Sequence, residues 1–417
     1  MLKKILLVKV LCFAFLLGGS AKVRILNITD FGAKGNGITD DTYSIQNCLN
    51  TAAKEFDVKI VVPYGTYKIS KALIFDFLEG TKEVYGEQKN NANPVFISSS
   101  KTDIFVARGY LFDKSASTFK IKNLNLVGQN IPYSNTHPKI NKKEWFGALV
   151  IYDKREAYID NVVIQNFYGQ GIFIGDTKQE GIPVTACFQF VSISNSKIID
   201  VWGHNPKDDN YGDAIYMSNV RSGALSNNYI KNNLSNTRQL GRAGIVIEYM
   251  CQNINIQNNT IVEGYDRPLH IEETDGGHHI KNNTLLGSDL GLIIAEANKR
   301  KDYKEVIIYN NYVSNTNLVK FKSIKKSFAR DHYGDRALVY IDTKHFNNNV
   351  LIKIEKNKFE IDGNYEYDSN VILNNRSDNV ELSSNTFQVI HSKKKFSLAN
   401  FSKKNLGVDW NKSVLNK

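Results

Sequence analysis

Two glutamates and a histidine occupy matched positions in consecutive, similar segments of the sequence. The three segments are Ala-Gly-Ile-Val-Ile-Glu-Tyr at 243–249, Arg-Pro-Leu-His-Ile-Glu-Glu at 267–273 and Leu-Gly-Leu-Ile-Ile-Ala-Glu at 290–296. Superposing them aligns Glu248 with Glu272 and places His270 two residues before Glu272. If the segments are neighbouring strands, the two carboxylates lie about 4.8 Å apart, and such proximity raises the pKa of one of them. One carboxyl would then serve as an acid and the other as a base or nucleophile.

The alternation of side chains along a strand predicts which residues share this face. The residues predicted to face inward are Ala214, Ile245, Leu269 and Leu292. The next residue of each strand then faces outward, which gives Ile215, Val246, His270 and Ile293. Two residues further on, this alignment places Met217 beside Glu248. The predicted catalytic residues are therefore Glu248, Glu272, His270 and Asp213. A separation near 4.8 Å suits a retaining glycosidase, for which about 5 to 5.5 Å is expected, better than an inverting one. The alternative is an acidic ladder that binds a ligand or is merely exposed.

Further side chains near this face are predicted to bind a substrate. They are Tyr211, Arg242, Arg267, Tyr249, Glu273 and His204. Arginine and tyrosine suit a uronate carboxylate or a sugar ring, and His204 lies in a polar loop with the composition of a groove wall. Arg242 and Asp266 occupy equivalent positions, so a structural ion pair between them is the alternative role for Arg242. His278 and His279 follow two glycines and are predicted to lie in a solvated turn.

The N-terminus and the net charge indicate an exported, basic protein. Lys3 and Lys4 precede an apolar run that ends at Leu17, and small residues follow, so residues 1–21 are predicted to be a signal peptide cleaved after Ala21. The run is short against the roughly 20 residues of a spanning helix, and no later segment is apolar enough to span a membrane. Loss of the signal lowers the formal net charge from +11 by the three lysines that it contains.

We therefore predict a secreted or periplasmic protein with no stable membrane span after cleavage. Its expected partner is an acidic polysaccharide and not a nucleic acid, with lipopolysaccharide or a membrane surface as alternative polyanions. The oligomeric state is left open. Cys48, Cys187 and Cys251 remain after the signal, and this odd number without close spacing indicates buried thiols rather than a disulfide framework or a metal site.

The segment after the signal has a glycine-rich turn followed by a helix. The turn lies in Asp30-Phe31-Gly32-Ala33-Lys34-Gly35 through Thr39-Asp40-Asp41-Thr42, and Ile45, Cys48, Leu49 and Ala52 then recur at helical spacing. A buried strand and a second turn follow at Val62-Pro63-Tyr64-Gly65-Thr66-Tyr67. Together these motifs resemble the N-terminal signature of the pectate-lyase-like superfamily, which includes rhamnogalacturonases, polygalacturonases, epimerase-like proteins and phage tailspike depolymerases. The resemblance implies a cap on a right-handed parallel β-helix, in which Asp40 and Asp41 have a structural role.

A recurring polar marker before short apolar stretches supports this architecture independently. The markers are Asn123, Asn161, Ser196, Asn228, Asn259, Asn283, Asn311, Asn357 and Asn385, separated by 24 to 46 residues. Such a period indicates a solenoid with loops of variable length, and stacked asparagines can bond along its axis. We predict an all-β fold, a right-handed parallel β-helix with an N-terminal capping helix. The predicted divisions are a cap at 22–75, rungs at 76–390 and a C-terminal cap or tail at 391–417. Loops are predicted to project from the rungs at 76–101, 129–146, 202–212 and 297–304, and a long basic stretch lies at 318–337.

The family's catalytic motifs do not carry over to this sequence. Polygalacturonases have Asn-Thr-Asp, Asp-Asp, Gly-His-Gly and Arg-Ile-Lys in order, whereas this sequence has no Asn-Thr-Asp, Gly-His-Gly or Arg-Ile-Lys, and its Asp208-Asp209 pair lies in a loop. Lyases of the fold, by resemblance, use a base with Ca²⁺ or an arginine that neutralises the uronate. Glu248, Glu272 and Asp213 could hold Ca²⁺, the one cofactor the residues suggest. His270 or Tyr211 would then be the base, and Arg242 or Arg267 the neutralising cation.

The sequence thus predicts a polysaccharide-active enzyme, either a lyase or a glycoside hydrolase. The alternatives are a uronate C5-epimerase, or a protein that binds glycan or assists exopolysaccharide assembly or export without catalysis. A tailspike is disfavoured, because tailspikes need no signal peptide.

Overall fold

The computed structural model describes residues 23–109, 117–129, 146–176, 188–203, 212–233, 240–287, 291–295, 304–314, 337–342, 351–362, 370–375 and 380–390. Within these ranges, 31 strands pair in parallel and form three stacks that run along one axis. Each turn of the coil contributes a strand to the second stack, then the third, then the first. The fold is therefore the predicted right-handed parallel β-helix.

The strand bounds define the three stacks. The first stack contains Leu73–Asp76, Phe105–Arg108, Phe146–Tyr152, the end of Glu156–Gly175, Ile215–Ser218, Gly241–Glu248, Tyr265–Glu272, Leu292–Ala295, Ala337–Asp342 and Asn370–Asn375. The second contains Arg24–Asn27, Val58–Val62, Thr81–Gly86, the start of Thr118–Val127, the start of Glu156–Gly175, Phe190–Ser194, Gly223–Ser226, Ile254–Gln257, His279–Lys281, Val306–Tyr309, Ile352–Glu355 and Val380–Ser383. The third contains Asn36–Asp40, Thr66–Ile69, Val95–Ser98, the end of Thr118–Val127, the middle of Glu156–Gly175, Lys197–Trp202, Tyr229–Lys231, Thr260–Ile261, Thr284–Leu286, Tyr312–Ser314, Lys358–Asp362 and Thr386–Ile390.

A short 3-10 helix, Ile28–Phe31, and an α-helix, Thr42–Ala52, cover the N-terminal end of the coil. The predicted apolar face of the α-helix is buried, as Ile45, Cys48, Leu49 and Ala52 are all in the core. Asp41 accepts hydrogen bonds from the backbone amides of Lys34 at 2.7 Å and Gly35 at 3.1 Å, and so holds the glycine-rich turn. The predicted structural role of Asp41 is confirmed.

The first complete turn of the coil begins with the strand Val58–Val62. The predicted division between cap and rungs at residues 75 and 76 stays a prediction. The predicted signal peptide and C-terminal tail lie outside the described residues, and so does most of each loop and basic stretch predicted after residue 128.

An internal asparagine ladder ties the turns between the second and third stacks together. It runs through Asn228, Asn259, Asn283, Asn311, Asn357 and Asn385, in which each Nδ2 donates to the next Oδ1 at 2.9–3.0 Å. Each of these Oδ1 atoms also accepts a hydrogen bond from the backbone N–H of the preceding ladder asparagine, at 2.8–3.1 Å. These buried polar atoms are thereby satisfied on both sides. The predicted ladder is confirmed from Ser196 onwards, since the Ser196 amide donates to Asn228.

Two of the predicted ladder positions belong to a different column. Asn123 and Asn161 align with Asn195, which directly precedes the ladder residue Ser196. All three have positive φ between 52° and 56°. Asparagine adopts this left-handed conformation more readily than most residues. This second column also bonds along the axis, since Asn161 Nδ2 donates to Asn123 Oδ1 at 2.9 Å.

The predicted loop at 76–101 is wrong in part, because it contains the strands Thr81–Gly86 and Val95–Ser98. The inward position beside Val84 and Gly86 is occupied by Lys82, which breaks the apolar alternation that marks a strand. Lys82 is wholly buried, and its Nζ donates to the backbone oxygens of Glu55 and Glu79 at 2.5 and 2.9 Å. The charged end is therefore satisfied inside the cap, a pairing that sequence alone does not reveal.

Candidate active site

The three aligned segments lie in the first stack with the predicted register. Ile245 pairs with Leu269 and Leu269 with Leu292, so Glu248 and Glu272 fall in one column. The predicted alignment of the preceding strand is wrong by one residue, since Ile215, and not Ala214, pairs with Ile245. A shift of one residue exchanges the two faces of a strand. Met217 therefore points inward, and Tyr216 and Ser218 face outward beside Val246 and Glu248.

Arg242 links two of the predicted catalytic carboxylates. Its Nε and Nη2 contact the two oxygens of Asp213 at 2.9 and 3.0 Å, and Nη2 also reaches Oε1 of Glu248 at 3.3 Å. All three residues are buried. Arg242 and Asp266 do occupy equivalent positions on paired strands, as predicted. Among the described residues, however, the salt bridges of Arg242 run to Asp213 and Glu248.

His270 and Glu272 form the other half of the site. His270 is wholly buried, and its Nε2 lies 3.0 Å from Oε2 of Glu272, whose side chain is 25% exposed. Ligand atoms of Glu248, His270 and Glu272 all lie within 4.8 Å of one another. Asp213, Arg242, Glu248, His270 and Glu272 thus form one group, which we call the site cluster. Glu272 is its partly exposed member, and the other four residues are buried, although the sequence predicted that this face is exposed.

The two glutamates of the site cluster have pKa values moved in opposite directions. Burial raises the pKa of Glu248, and this effect exceeds the opposing attraction of Arg242 and His270. Burial would also raise the pKa of Glu272, but His270, Arg242 and Arg267 together lower it to about 2. Of the two carboxyl groups, Glu248 therefore binds a proton more readily than Glu272. The sequence predicted that mutual proximity would raise one pKa, whereas here burial has the largest effect on Glu248, and His270 with the two arginines lowers the pKa of Glu272.

Tyr216 is a member of the site that sequence reasoning missed. Its side chain hydrogen-bonds to Glu248, and burial, with the Glu248 charge, raises the pKa of its hydroxyl well above the usual value. The ring stacks on Phe173 with centroids 5.0 Å apart and an interplanar angle of 6°, and Phe173 contacts Tyr152 at 5.4 Å. Aligning Ala214 with Gly244 instead of Ile245 would have placed Tyr216 on this face.

Tyr249 and Glu273 follow the two site glutamates at the ends of paired strands. Tyr249 is 39% exposed, and Glu273 is partly exposed. The pKa of Tyr249 is raised to about 12 by burial of the hydroxyl and by the charges of the neighbouring glutamates. Arg267 is buried with Nη1 3.6 Å from Oδ2 of Asp266, so it acts on the site through its charge rather than at an open surface. The predicted substrate contacts Tyr211 and His204 lie outside the described residues.

The site residues do not fit the calcium set that the sequence suggested. Both oxygens of Asp213 are engaged by Arg242, and the group within reach of one ion is Glu248, His270 and Glu272. A histidine nitrogen suits transition metals better than Ca²⁺, which takes oxygen ligands. Arg242 also places a positive charge against Glu248. The arrangement therefore supports chemistry by the carboxylates themselves.

His278 is buried rather than solvated. Its Nδ1 accepts the backbone amide of Ile254 at 3.3 Å, and its Nε2 lies 3.0 Å from Oγ1 of Thr274. Burial lowers the pKa of His278 to about 3, so the ring is neutral at physiological pH. The predicted solvated turn is wrong for this residue, which bridges two turns of the coil, and His279 begins the strand His279–Lys281.

A protein-family comparison matches residues 25–266 to the family described as rhamnogalacturonase A/epimerase, pectate lyase-like. This protein belongs to that family. The match includes Asp213, Arg242 and Glu248 and ends before His270 and Glu272. The predicted resemblance is therefore confirmed at the level of the family, while the full site cluster extends beyond the matched range.

Individual relatives are distant. The uncharacterized protein YclG of Bacillus subtilis is 23% identical over 279 residues, which cover 58% of this chain and 47% of that protein. The chain thus matches less than half of the length of that relative. Among solved structures, the mannuronan C-5 epimerase AlgE6 A-module of Azotobacter vinelandii is 15% identical with a TM-score of 0.40, covering 88% of this chain and 94% of that chain.

A second solved structure is equally remote. An exopolygalacturonase from Thermotoga maritima is 12% identical with a TM-score of 0.38, covering 88% of this chain and 87% of that chain. No helix among the described residues is long and apolar enough to cross a membrane.

Proposed function

We propose that this protein is a polysaccharide-active enzyme that cleaves an acidic glycan at the open edge of the site cluster. The observation that carries the proposal is geometric: carboxylate oxygens of Glu248 and Glu272 lie within 4.8 Å of each other on one face, in surroundings that move their pKa values in opposite directions. Two carboxyl groups on one face, one kept protonated and one kept ionised, are the requirement for acid–base or nucleophilic cleavage of a glycosidic bond. Membership of the family supports a carbohydrate substrate.

Retaining hydrolysis is the reaction that the pair supports best. The Glu272 carboxylate would bond to the anomeric carbon as the glycosidic carbon–oxygen bond breaks, and Glu248 would give its proton to the departing oxygen. Water would then attack the same carbon, lose a proton to Glu248 and release Glu272. The partial exposure of Glu272 suits the group that must meet the sugar, and His270 at 3.0 Å would hold its orientation.

An acidic glycan is favoured by charge. The chain carries a formal net charge of +11, and Arg242 and Arg267 lie close enough to Glu272 to lower its pKa. These cations make the site more favourable for a uronate than a cluster of carboxylates alone would be. Neutral polysaccharides are the natural comparison in any assay.

The test is a panel of bacterial, plant and algal polyanions, read for new reducing ends and for absorbance at 235 nm. Hydrolysis gives reducing ends without the absorbance, whereas lyase cleavage gives both. Glu272→Gln should lower the rate by at least about 100-fold. A matched control is Glu305→Gln, since Glu305 lies on the second-stack side and contacts Lys353 at 3.0 Å. Equal activity of Glu272→Gln and the wild type would overturn the assignment.

Binding without cleavage is the second candidate, and the enclosure of the site cluster favours it. Apart from Glu272, the members of the cluster are buried and contact one another. That candidate expects measurable retention of the protein by a polyanion with no new ends and no change in uronate stereochemistry. Proton NMR of the recovered polymer separates this outcome from C5 epimerisation. EDTA added to the active assay tests any need for a divalent ion.

We also propose that the protein is exported, because residues 1–21 have the pattern of a signal peptide. N-terminal sequencing of protein recovered from the medium or periplasm should begin at Lys22. A protein that retains Met1 and fractionates with the cell interior would contradict it.

A further inference from the structure

Backbone strain is concentrated beside the two site glutamates. Among the described non-glycine residues, 19 have positive φ, and 14 of these are Asn or Asp, which tolerate this conformation best. Three of the other five directly follow a site glutamate. Tyr249 (φ 41°) and Met250 (φ 57°) come after Glu248, and Glu273 (φ 50°) comes after Glu272. A bulky residue with positive φ is an outlier, and such strain clusters at functional sites.

The strain at Tyr249 is imposed by the neighbouring turns. Tyr249 aligns with Asn219 on the preceding strand, which has φ of 56°. The Asn219 amide donates to the Tyr249 carbonyl at 2.8 Å, and the Met250 amide donates to the Glu273 carbonyl at 2.9 Å. The preceding turn thus fills the left-handed position with a favourable residue, whereas the site turn fills it with tyrosine. The backbone conformation alone does not favour tyrosine over asparagine at position 249.

Tyr249 also differs from the other exposed large apolar or aromatic side chains. Among the described residues these are Val23, Ile25, Ile38, Tyr43, Phe56 and Tyr64, all at the N-terminal end, together with Tyr249 at 39%. Tyr249 alone of this set lies at the site, directly after Glu248 and one strand from Glu272. A flat ring beside a carboxylate is a typical surface for the apolar face of a sugar.

We propose that Tyr249 is the platform of a sugar-binding subsite, and that its strained backbone holds the ring beside Glu272. The ligand is one pyranose ring of the acidic glycan, stacked on the exposed face of Tyr249 while its neighbour reaches Glu272. This inference rests on the proposed function and deepens it by assigning a subsite. Tyr249 is a positioning residue for the substrate and not a catalytic one.

The test compares Tyr249→Asn with Tyr249→Phe, using the polyanion that the panel shows to be degraded. Asparagine accepts the left-handed backbone and removes the ring, so KM should rise roughly tenfold while kcat changes less. Phenylalanine keeps the ring and should leave KM within about twofold. Relief of backbone strain should keep the Tm of Tyr249→Asn within about 2 °C of the wild type.

Asn258→Tyr is the matched stability control, because Asn258 is exposed and has φ of 56° on the second-stack side. Its Tm should fall by about 1–2 °C, which measures the strain of tyrosine in this conformation. An unchanged KM in Tyr249→Asn would overturn the subsite. A Tm lowered by more than about 5 °C with unchanged KM would assign the ring to packing instead.

The subsite and the proposed cleavage can fail separately. If Glu272→Gln is inactive and Tyr249→Asn keeps the wild-type KM, cleavage stands and the subsite is wrong. If the wild type degrades no polyanion, electrophoresis through gels containing polygalacturonate or alginate tests the subsite directly. Glu272→Gln should then be retarded like the wild type, whereas Tyr249→Asn should need roughly tenfold more polymer for the same retardation. Equal retardation of all three would overturn the subsite.

Discussion

Glu248 and Glu272 lie in one column on neighbouring parallel strands, yet their surroundings raise the pKa of Glu248 and lower that of Glu272. The difference arises from their surroundings: Glu248 is buried against Arg242 and Tyr216, whereas Glu272 contacts His270 at 3.0 Å. Two identical side chains thereby acquire different chemistry.

The pH dependence of cleavage should follow this pair. Because the pKa of Glu272 is low, kcat/KM should hold on the acid side well below pH 4.5, the usual value for a glutamate. Because the pKa of Glu248 is raised, the alkaline loss of activity should begin above 4.5, as its proton leaves. The measurement is kcat/KM from pH 3 to 9 on enzyme shown to be stable at each pH. An acid limb centred at 4.5 would contradict the assignment.

His270 should set the acid limb of that profile. His270→Gln removes the side chain that lowers the pKa of Glu272 most, so that pKa should rise and the acid limb should move up by about one pH unit or more. A residue with only a packing role would lower stability without moving the limb. Comparing the profiles of the variant and the wild type at equal folded fraction separates the two roles.

The buried pair of Arg242 and Asp213 should be strongly coupled. Removing either partner leaves an uncompensated buried charge, so Asp213→Leu or Arg242→Met should each cost about 3–5 kcal/mol of unfolding free energy. The double variant should cost less than the two singles combined, by at least about 1 kcal/mol. Urea unfolding of the four proteins measures the coupling, and strict additivity would show that the contact contributes little.

The asparagine ladder should dominate the stability of the turns. Asn259→Ala removes hydrogen bonds to Asn228, Asn283 and the carbonyl of Leu225, and should cost about 3 kcal/mol. The adjacent Asn258→Gly is the control, because Asn258 is exposed with positive φ and glycine accepts that backbone. Its cost should be below about 0.5 kcal/mol by urea unfolding. Similar costs for both would place the stabilisation elsewhere.

His278 should make the protein sensitive to acid. Its pKa is lowered from 6.5 to about 3 by burial, so the neutral ring contributes stability above pH 6.5 that is lost as the pH falls towards 3. The expected loss is about 1.4 kcal/mol per pH unit within that window. His278→Asn should flatten the slope of urea stability between pH 6.5 and 4, whereas the half-buried His279→Asn should change it less. Parallel slopes for wild type and His278→Asn would contradict the prediction.

Local patterns in the sequence were sufficient for the architecture. Alternation within short segments, a recurring polar marker and the N-terminal turn and helix all depend on neighbouring residues, and they predicted the coil, its cap and the ladder. The alignment of Glu248 with Glu272 followed for the same reason, because both segments carry the same spacing of aliphatic residues.

The partners of the site residues were decided by the tertiary structure. The connections between turns vary in length, so spacing could not fix the strand register that brings Tyr216, rather than Met217, beside Glu248. Nor could it show that Arg242 pairs with Asp213, or that Lys82 and His278 find buried partners. Burial, and the charges that burial brings together, move the pKa values of the two glutamates in opposite directions. The sequence by itself determined a column of carboxylates, and the packing of successive turns gave its two members different roles.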